Sequence, residues 1–182
     1  MKSNNELDQL AIKYKADKFG KHNYTPYYYE LFKDRKETVK KVVEIGTAEG
    51  ASLFMWNDFF INAKIYGADI DPDRVSKEDL EKFPRISIYE CDQSFETDLV
   101  RLIKQTGTDI DLFLDDGSHK PEDQLFTCLF VMPMLNPESI YIIEDVADKS
   151  IIADIVEAGY VVDDKKFSDR YDDRIIMVRY HD

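Results

Sequence analysis

The sequence predicts an α/β fold: a doubly wound, seven-stranded, mostly parallel sheet with helices on both faces, closed by an antiparallel C-terminal hairpin. Three observations carry this. From Lys41 onward, short β-branched runs (VVEI, IYGADI, ISIYEC, IDLFLD and IYIIED) alternate with helical stretches, and repeated βα implies a parallel sheet covered on both sides. The tail breaks that alternation, because YVVDDKKF and RIIMVRY are separated only by the turn-like SDRYDD, as in a hairpin. A chain of 182 residues, 43% hydrophobic and 13% aromatic, has the length and apolar content for one ordinary domain.

Taken in order, residues 1–36 read as a helical N-terminal segment and 37–182 as a Rossmann-like core. Ser3 with Glu6 makes a capping box for a first helix that carries Leu7, Leu10, Ile12 and Tyr14 at roughly helical spacing. A polar stretch from Asp17 to Asn23 interrupts it. A second helix begins at Thr25 as N-cap, with Pro26 in the first turn, and aims Tyr28, Leu31 and Phe32 at the core. Within the βα repeats, Ser76, Ser94 and Pro121 open helices, while Gly107 and Gly159 stand where helices end. No Gly/Ser linker, repeat or low-complexity segment divides the chain, so a single domain over 1–182 is expected.

Composition excludes several classes of partner. A formal net charge of −13 opposes a polyanion, since nucleic-acid binding draws on clustered Lys and Arg. Cys91 and Cys128 are too few for a disulfide framework and have no CxxC partner, so free thiols in a reducing cytoplasm are expected. The opening MKSNNELDQL lacks an apolar signal core, and no apolar run approaches the ~20 residues that span a bilayer. The expectation is a cytoplasmic protein acting on a small-molecule or glycan acceptor, with neither nucleic acid nor membrane as partner and with homo-oligomerisation left open.

Chemistry enters at VVEIGTAEGAS, an apolar strand running into a glycine-bearing turn and a helix that carries Leu53, Met55, Trp56 and Phe59. The FMWNDFF stripe there, Trp56 included, reads as core. Such a turn lets a ligand approach the backbone. Dinucleotide folds favour GxGxxG, because pyrophosphate sits against bare amides at a helix N-terminus. Here the pattern is Glu44-x-Gly46-x-x-x-Gly50 with Thr47 inside it, and Glu44 and Glu49 set anionic groups where pyrophosphate would lie. S-adenosylmethionine presents an ammonium and a sulfonium instead, and the carboxylates suit that cation. Asp69 ends the second strand at close to the ~20-residue spacing from glycine turn to ribose-binding acid, with Ile70 beside it and Asp71 as the alternative. Asp92 and Gln93 after the third strand can bond an adenine edge, and Asp115 ends the fourth beside the same crevice.

The fourth and fifth strands end in Asp115-Asp116-Gly117-Ser118-His119 and Glu144-Asp145. In a doubly wound sheet these edges are neighbours, so Asp116, Glu144 and Asp145 converge and repel one another unless a cation neutralises them. Hard oxygen ligands favour Mg²⁺, with Mn²⁺ or Ca²⁺ as alternatives. His119, one short turn away, can take a proton from a hydroxyl that such an ion has acidified.

These residues resemble a known family, the metal-dependent sugar O-methyltransferases of macrolide biosynthesis with related bacterial polysaccharide-modifying enzymes. The similarity covers roughly residues 14–146 through DKFGKHNYTPYYYELF, VVEIGTAEGAS, IYGADIDP, CDQS, LDDGSH and IIEDV. It implies metal binding by Asp116, Glu144 and Asp145 and general-base work by His119. It also implies that the N-terminal segment packs over the site, where His22, Tyr24, Tyr27 and Tyr28 would meet cofactor or acceptor. The turn Thr47-Ala48-Glu49 departs from the family in being poorer in glycine. Rival readings are methyl transfer to a catechol-like acceptor, a nicotinamide-dependent oxidoreductase, and a cofactor-binding module without catalysis. The oxidoreductase lacks its GxGxxG here, and His119 beside three carboxylates opposes the inert module.

Overall fold

A computed structural model describes residues 5–181. Two helices, α1 (Glu6–Tyr14) and α2 (Thr25–Phe32), precede β1 (Lys41–Ile45), α3 (Ala51–Phe59), β2 (Lys64–Asp69), α4 (Lys77–Lys82) and β3 (Ile86–Glu90). The chain continues through α5 (Glu96–Thr106), β4 (Leu112–Asp115), α6 (Pro121–Val131), β5 (Ile140–Ile143) and α7 (Ile151–Glu157) to the hairpin β6 (Val161–Lys166) and β7 (Arg174–Arg179). The sheet order is β3-β2-β1-β4-β5-β7-β6. β1 to β5 pair in parallel, and β7 runs antiparallel to both β5 and β6. Winding proceeds outward in both directions from β1 and β4, so a crevice opens at their carboxyl ends, where open α/β sheets bind ligands.

Alternation of side chains along the central strands gives each face its own core. One face packs Val42, Leu112, Leu114 and Ile142 against α1, α2 and α3 through Leu7, Tyr28, Phe32, Trp56 and Phe59. The other packs Val43, Phe113, Tyr141 and Ile143 against α5, α6 and α7 through Leu99, Leu102, Cys128 and Ile155. Trp56 is fully buried, as the core reading of its stripe requires. Cys91 and Cys128 are both buried and free. No helix among the described residues is long and apolar enough to cross a membrane.

Helix ends depart from the sequence reading more than helices do. Asn5, not Ser3, caps α1, its side chain accepting from the Asp8 amide at 2.9 Å; Ser3 lies outside the described residues. Thr25 is already helical, and its hydroxyl donates to Asp8 at 2.5 Å instead of capping α2. Ser94 bonds Asp92 and leaves the N-cap of α5 to Phe95, which offers no side-chain cap. Ser76 does cap α4, and Gly107 ends α5 at φ 80°. Ile12 is 52% exposed and belongs to no core.

Candidate active site

One cleft of about 520 Å³ lies along the carboxyl ends of β1, β2, β3 and β4. The glycine turn, Asp69 and Ile70 line it together with Asp116, His119 and Asp145. Its volume is in the range of small-molecule sites, about 300–1,000 Å³. Six carboxylates line it, those of Asp17, Glu49, Asp69, Asp92, Asp116 and Asp145, against the side chains of Lys15 and Arg74, so its field favours a cationic ligand.

The turn is built by close approach. Gly46 stands at φ +83°, and a Cβ there would lie 1.9 Å from the carbonyl oxygen of Asp116, so the β1 and β4 ends touch only because this residue has no side chain. Asp69 closes the turn: its Oδ2 accepts from the amides of Thr47 and Ala48 at 2.7 and 3.0 Å, and its Oδ1 accepts from the Asp71 amide at 2.9 Å. Asp69 lines the cleft and Asp71 does not, which favours Asp69 over its alternative.

Four non-glycine residues among those described have positive φ, Lys15, Ala48, His119 and Asp145 at 60°, 45°, 58° and 52°, and all four line this cleft. Each costs about 1–2 kcal/mol relative to ordinary backbone. Strain of this kind persists where surrounding structure enforces a functional geometry.

His119 Nε2 is 3.0 Å from Asp116 Oδ1 and its Nδ1 is 3.9 Å from Asp145 Oδ2. One ligand atom from each of the three lies within 4.8 Å of the others. Two carboxylates and an imidazole facing one opening form a donor set that fits a divalent cation. The hydrogen bond to Asp116 is the largest influence on His119; with the charge of Asp145 it outweighs partial burial and raises the imidazole to about 9. Burial would raise Asp116, but Lys18 and His119 together bring it down to about 2.

Behind this face the structure redistributes several expected roles. Glu144 is turned away from the cleft, its Oε2 2.6 Å from Lys18 Nζ and its Oε1 accepting from the Tyr28 hydroxyl. Lys18, not a metal-facing position, therefore holds the third expected carboxylate. Glu44 is also buried, accepting from Ser52 at 2.9 Å and lying 3.1 Å from Lys18, so it supports the turn from below and does not line the cleft. Asp115 is fully buried, bonded by Gln93 at 3.0 Å and Tyr141 at 3.3 Å, and burial pushes its carboxyl up to about 7. Gln93 reaches the cleft wall, but its amide is spent on Asp115, Thr127 and the Ser118 amide, which fixes the loop carrying Asp116 and His119. Asp92 does line the cleft, with Oδ1 engaged by Ser94.

His22, Tyr24, Tyr27 and Tyr28, expected to meet cofactor or acceptor, lie behind or beside the cleft in this structure. None of the four lines the cleft; His22, Tyr24 and Tyr28 are buried, and Tyr27 packs on Phe167. Tyr24 donates to Asp145 Oδ1 at 2.7 Å, and His22, stacked on Tyr24, lies 3.1 Å from Asp173 and 3.5 Å from Asp145. They position carboxylates. Lys18 is the functional residue that the residue-by-residue reading missed, and the only signal for it was its place in DKFGKHNYTPYYYELF.

A family model described as a methyltransferase domain matches residues 43–146, more than half of the chain. The 8-demethyl-8-alpha-L-rhamnosyl tetracenomycin-C 2'-O-methyltransferase of Streptomyces olivaceus is 34% identical over 146 residues, 76% of this chain and 37% of that protein. The mycinamicin VI 2''-O-methyltransferase of Micromonospora griseorubida is 32% identical over 148 residues, 77% of this chain and 36% of its own length. The chain thus spans little more than a third of these curated relatives. Among solved structures, MycE methyltransferase from the mycinamycin biosynthetic pathway, in complex with Mg and SAH, aligns with a TM-score of 0.78 at 25% identity, over 97% of this chain and 55% of that one. The strand order, the glycine turn and the matched residues agree, and the chain belongs to the methyltransferase-domain family.

Proposed function

We propose that this chain is an S-adenosylmethionine-dependent O-methyltransferase that acts on a sugar hydroxyl with the help of a divalent cation. The observation that carries the reading is a single cleft joining the glycine turn and Asp69 to the Asp116, His119 and Asp145 group, so a methyl donor and an acceptor can meet inside it. The relatives' names add the acceptor class, since they methylate hydroxyls of sugars on antibiotic glycosides.

Gly46 and Thr47 pass the cofactor along bare backbone, Asp69 offers its carboxylate to the ribose, and Ile70, 69% exposed, gives the adenine an apolar surface. The acidic lining stabilises the sulfonium before transfer. Asp116 and Asp145 would hold the divalent cation, Mg²⁺ or a similar ion, on the side that opens to the cleft. Bound there, it would supply Lewis acidity to the acceptor hydroxyl. His119 is kept protonated by Asp116 and Asp145; once those carboxylates are engaged elsewhere, their pull on its proton weakens and the imidazole can accept one. The acceptor oxygen displaces the thioether in line: the O–CH₃ bond forms, the S–CH₃ bond breaks, and the hydroxyl proton passes to His119. Buried free thiols at Cys91 and Cys128 suit a reducing compartment such as the cytoplasm.

A methyl-transfer assay on a panel of glycosides with adjacent hydroxyls tests this. Turnover is expected with Mg²⁺ and lost in EDTA, and His119→Ala should lower kcat by ~10²–10⁴ while leaving cofactor affinity nearly unchanged. Full turnover in EDTA, or transfer to catechols with none to glycosides, contradicts the reading.

A further inference from the structure

The mechanism uses the cleft side of Asp116, His119 and Asp145 and leaves the buried side of the same cluster unexplained. There Lys18 has no exposed surface, and its Nζ lies 2.6 Å from Glu144 Oε2, 2.9 Å from Asp116 Oδ2 and 3.1 Å from Glu44 Oε1. The three carboxylates come from β1 and from the loops after β4 and β5, so the ends of the three central strands converge on one ammonium delivered by the segment between α1 and α2. Asp116 is shared between the two sides, with Oδ1 on His119 and Oδ2 on Lys18. Both oxygens of Glu144 are engaged, Oε2 by Lys18 and Oε1 by the Tyr28 hydroxyl. The backbone clamps the same segment, the amides of Tyr24 and Thr25 both bonding the Lys18 carbonyl at 2.9 and 3.2 Å.

Three carboxylates removed from water at this spacing repel strongly unless a cation lies among them. We propose that Lys18 is the resident inner cation of the centre, a positioning residue that holds the three strand ends together in the metal-free protein and fixes Asp116 with Oδ1 towards the cleft. Glu144 is then the anchor of Lys18. The divalent ion of the proposed function, on which this inference rests for its consequence but not for its test, serves the acceptor and is not needed to assemble the site.

The test is a double-mutant cycle of charge neutralisations on the whole protein in EDTA, without cofactor, read as Tm. Lys18→Met keeps the length of the side chain and removes the ammonium. Its Tm is expected to fall by roughly 6–20 °C, the range for breaking a buried ion pair in a chain of this size. Glu144→Gln in the otherwise native protein is expected to lower Tm as well. In the Lys18→Met background the same Glu144→Gln change should raise it, because it removes the excess charge. That reversal of sign is what mere packing does not produce. Mn²⁺ should raise the Tm of Lys18→Met by more than that of the native protein, the ion replacing the missing charge. If Lys18→Met alone does not fold, the double variant must still be recovered folded. A Lys18→Met Tm within 2 °C of native, a double variant no more stable than Lys18→Met, or two variants that both fail to fold overturns the proposal. Since no methyl transfer is measured, failure of the methyltransferase reading would leave these outcomes intact.

Discussion

His119 sits between two carboxylates that favour its protonated form, and this has a measurable consequence for stability. Its folded-state pKa is raised from 6.5 to about 9, first by the hydrogen bond to Asp116. The stabilisation is therefore fully present below the unfolded value near 6.5 and is lost as pH rises through about 9. With the ring side chain 41% exposed, solvent screening keeps the slope shallow. In EDTA, the Tm of the native protein should exceed that of His119→Gln at pH 6, and the two curves should converge by pH 10. Parallel curves would mean that the imidazole does not sense Asp116. Residue by residue, the sequence was legible where a side chain's chemistry is unusual for its place. A histidine beside Asp116 and an acid ending β2 stood out. Lys18 did not, because a lysine in a polar stretch reads as solvated until the fold brings it beneath carboxylates distant in sequence. Asp115 and Glu44 lie beneath the cleft for the converse reason: a strand-end polar residue can face the opening or the layer beneath it, and spacing alone does not separate the two.

At the scale of elements, all seven strands fall on the runs expected of them, because a β-branched run bounded by turn residues leaves few alternatives. Helix caps were less legible. Asn5 and Phe95 took positions assigned to Ser3 and Ser94, since caps compete with nearby partners, as Ser94 does in bonding Asp92. The N-terminal pair α1 and α2 is the element whose role the fold changes most. Tyr28 of α2, with Tyr24 just before it, supports the carboxylates after β5 from behind. Tyr28→Phe is accordingly expected to cost about 1–3 kcal/mol in denaturant unfolding, because it leaves the buried Oε1 of Glu144 without its donor. Tyr27→Phe, whose hydroxyl reaches only Met177 sulfur at 3.8 Å, should cost much less. Equal costs would show that burial of the ring, and not the bond to Glu144, is what matters.

For the molecule as a whole, the order β3-β2-β1-β4-β5-β7-β6 puts the switch point at β1 and β4, and the cleft sits there. This places cofactor and acceptor chemistry side by side without a second layer of structure. It also leaves an internal ammonium below the strand ends and an acidic opening above them. Cofactor binding is expected to be independent of metal, because the glycine turn and Asp69 contribute no side chain to the Asp116, His119 and Asp145 donor group. The most direct measurement is calorimetric titration of the metal-free protein with S-adenosylhomocysteine, repeated with Mg²⁺ and with NADH. The account predicts one-to-one binding with nearly the same Kd with and without Mg²⁺, and no binding of NADH. Binding of NADH with none of S-adenosylhomocysteine would contradict it.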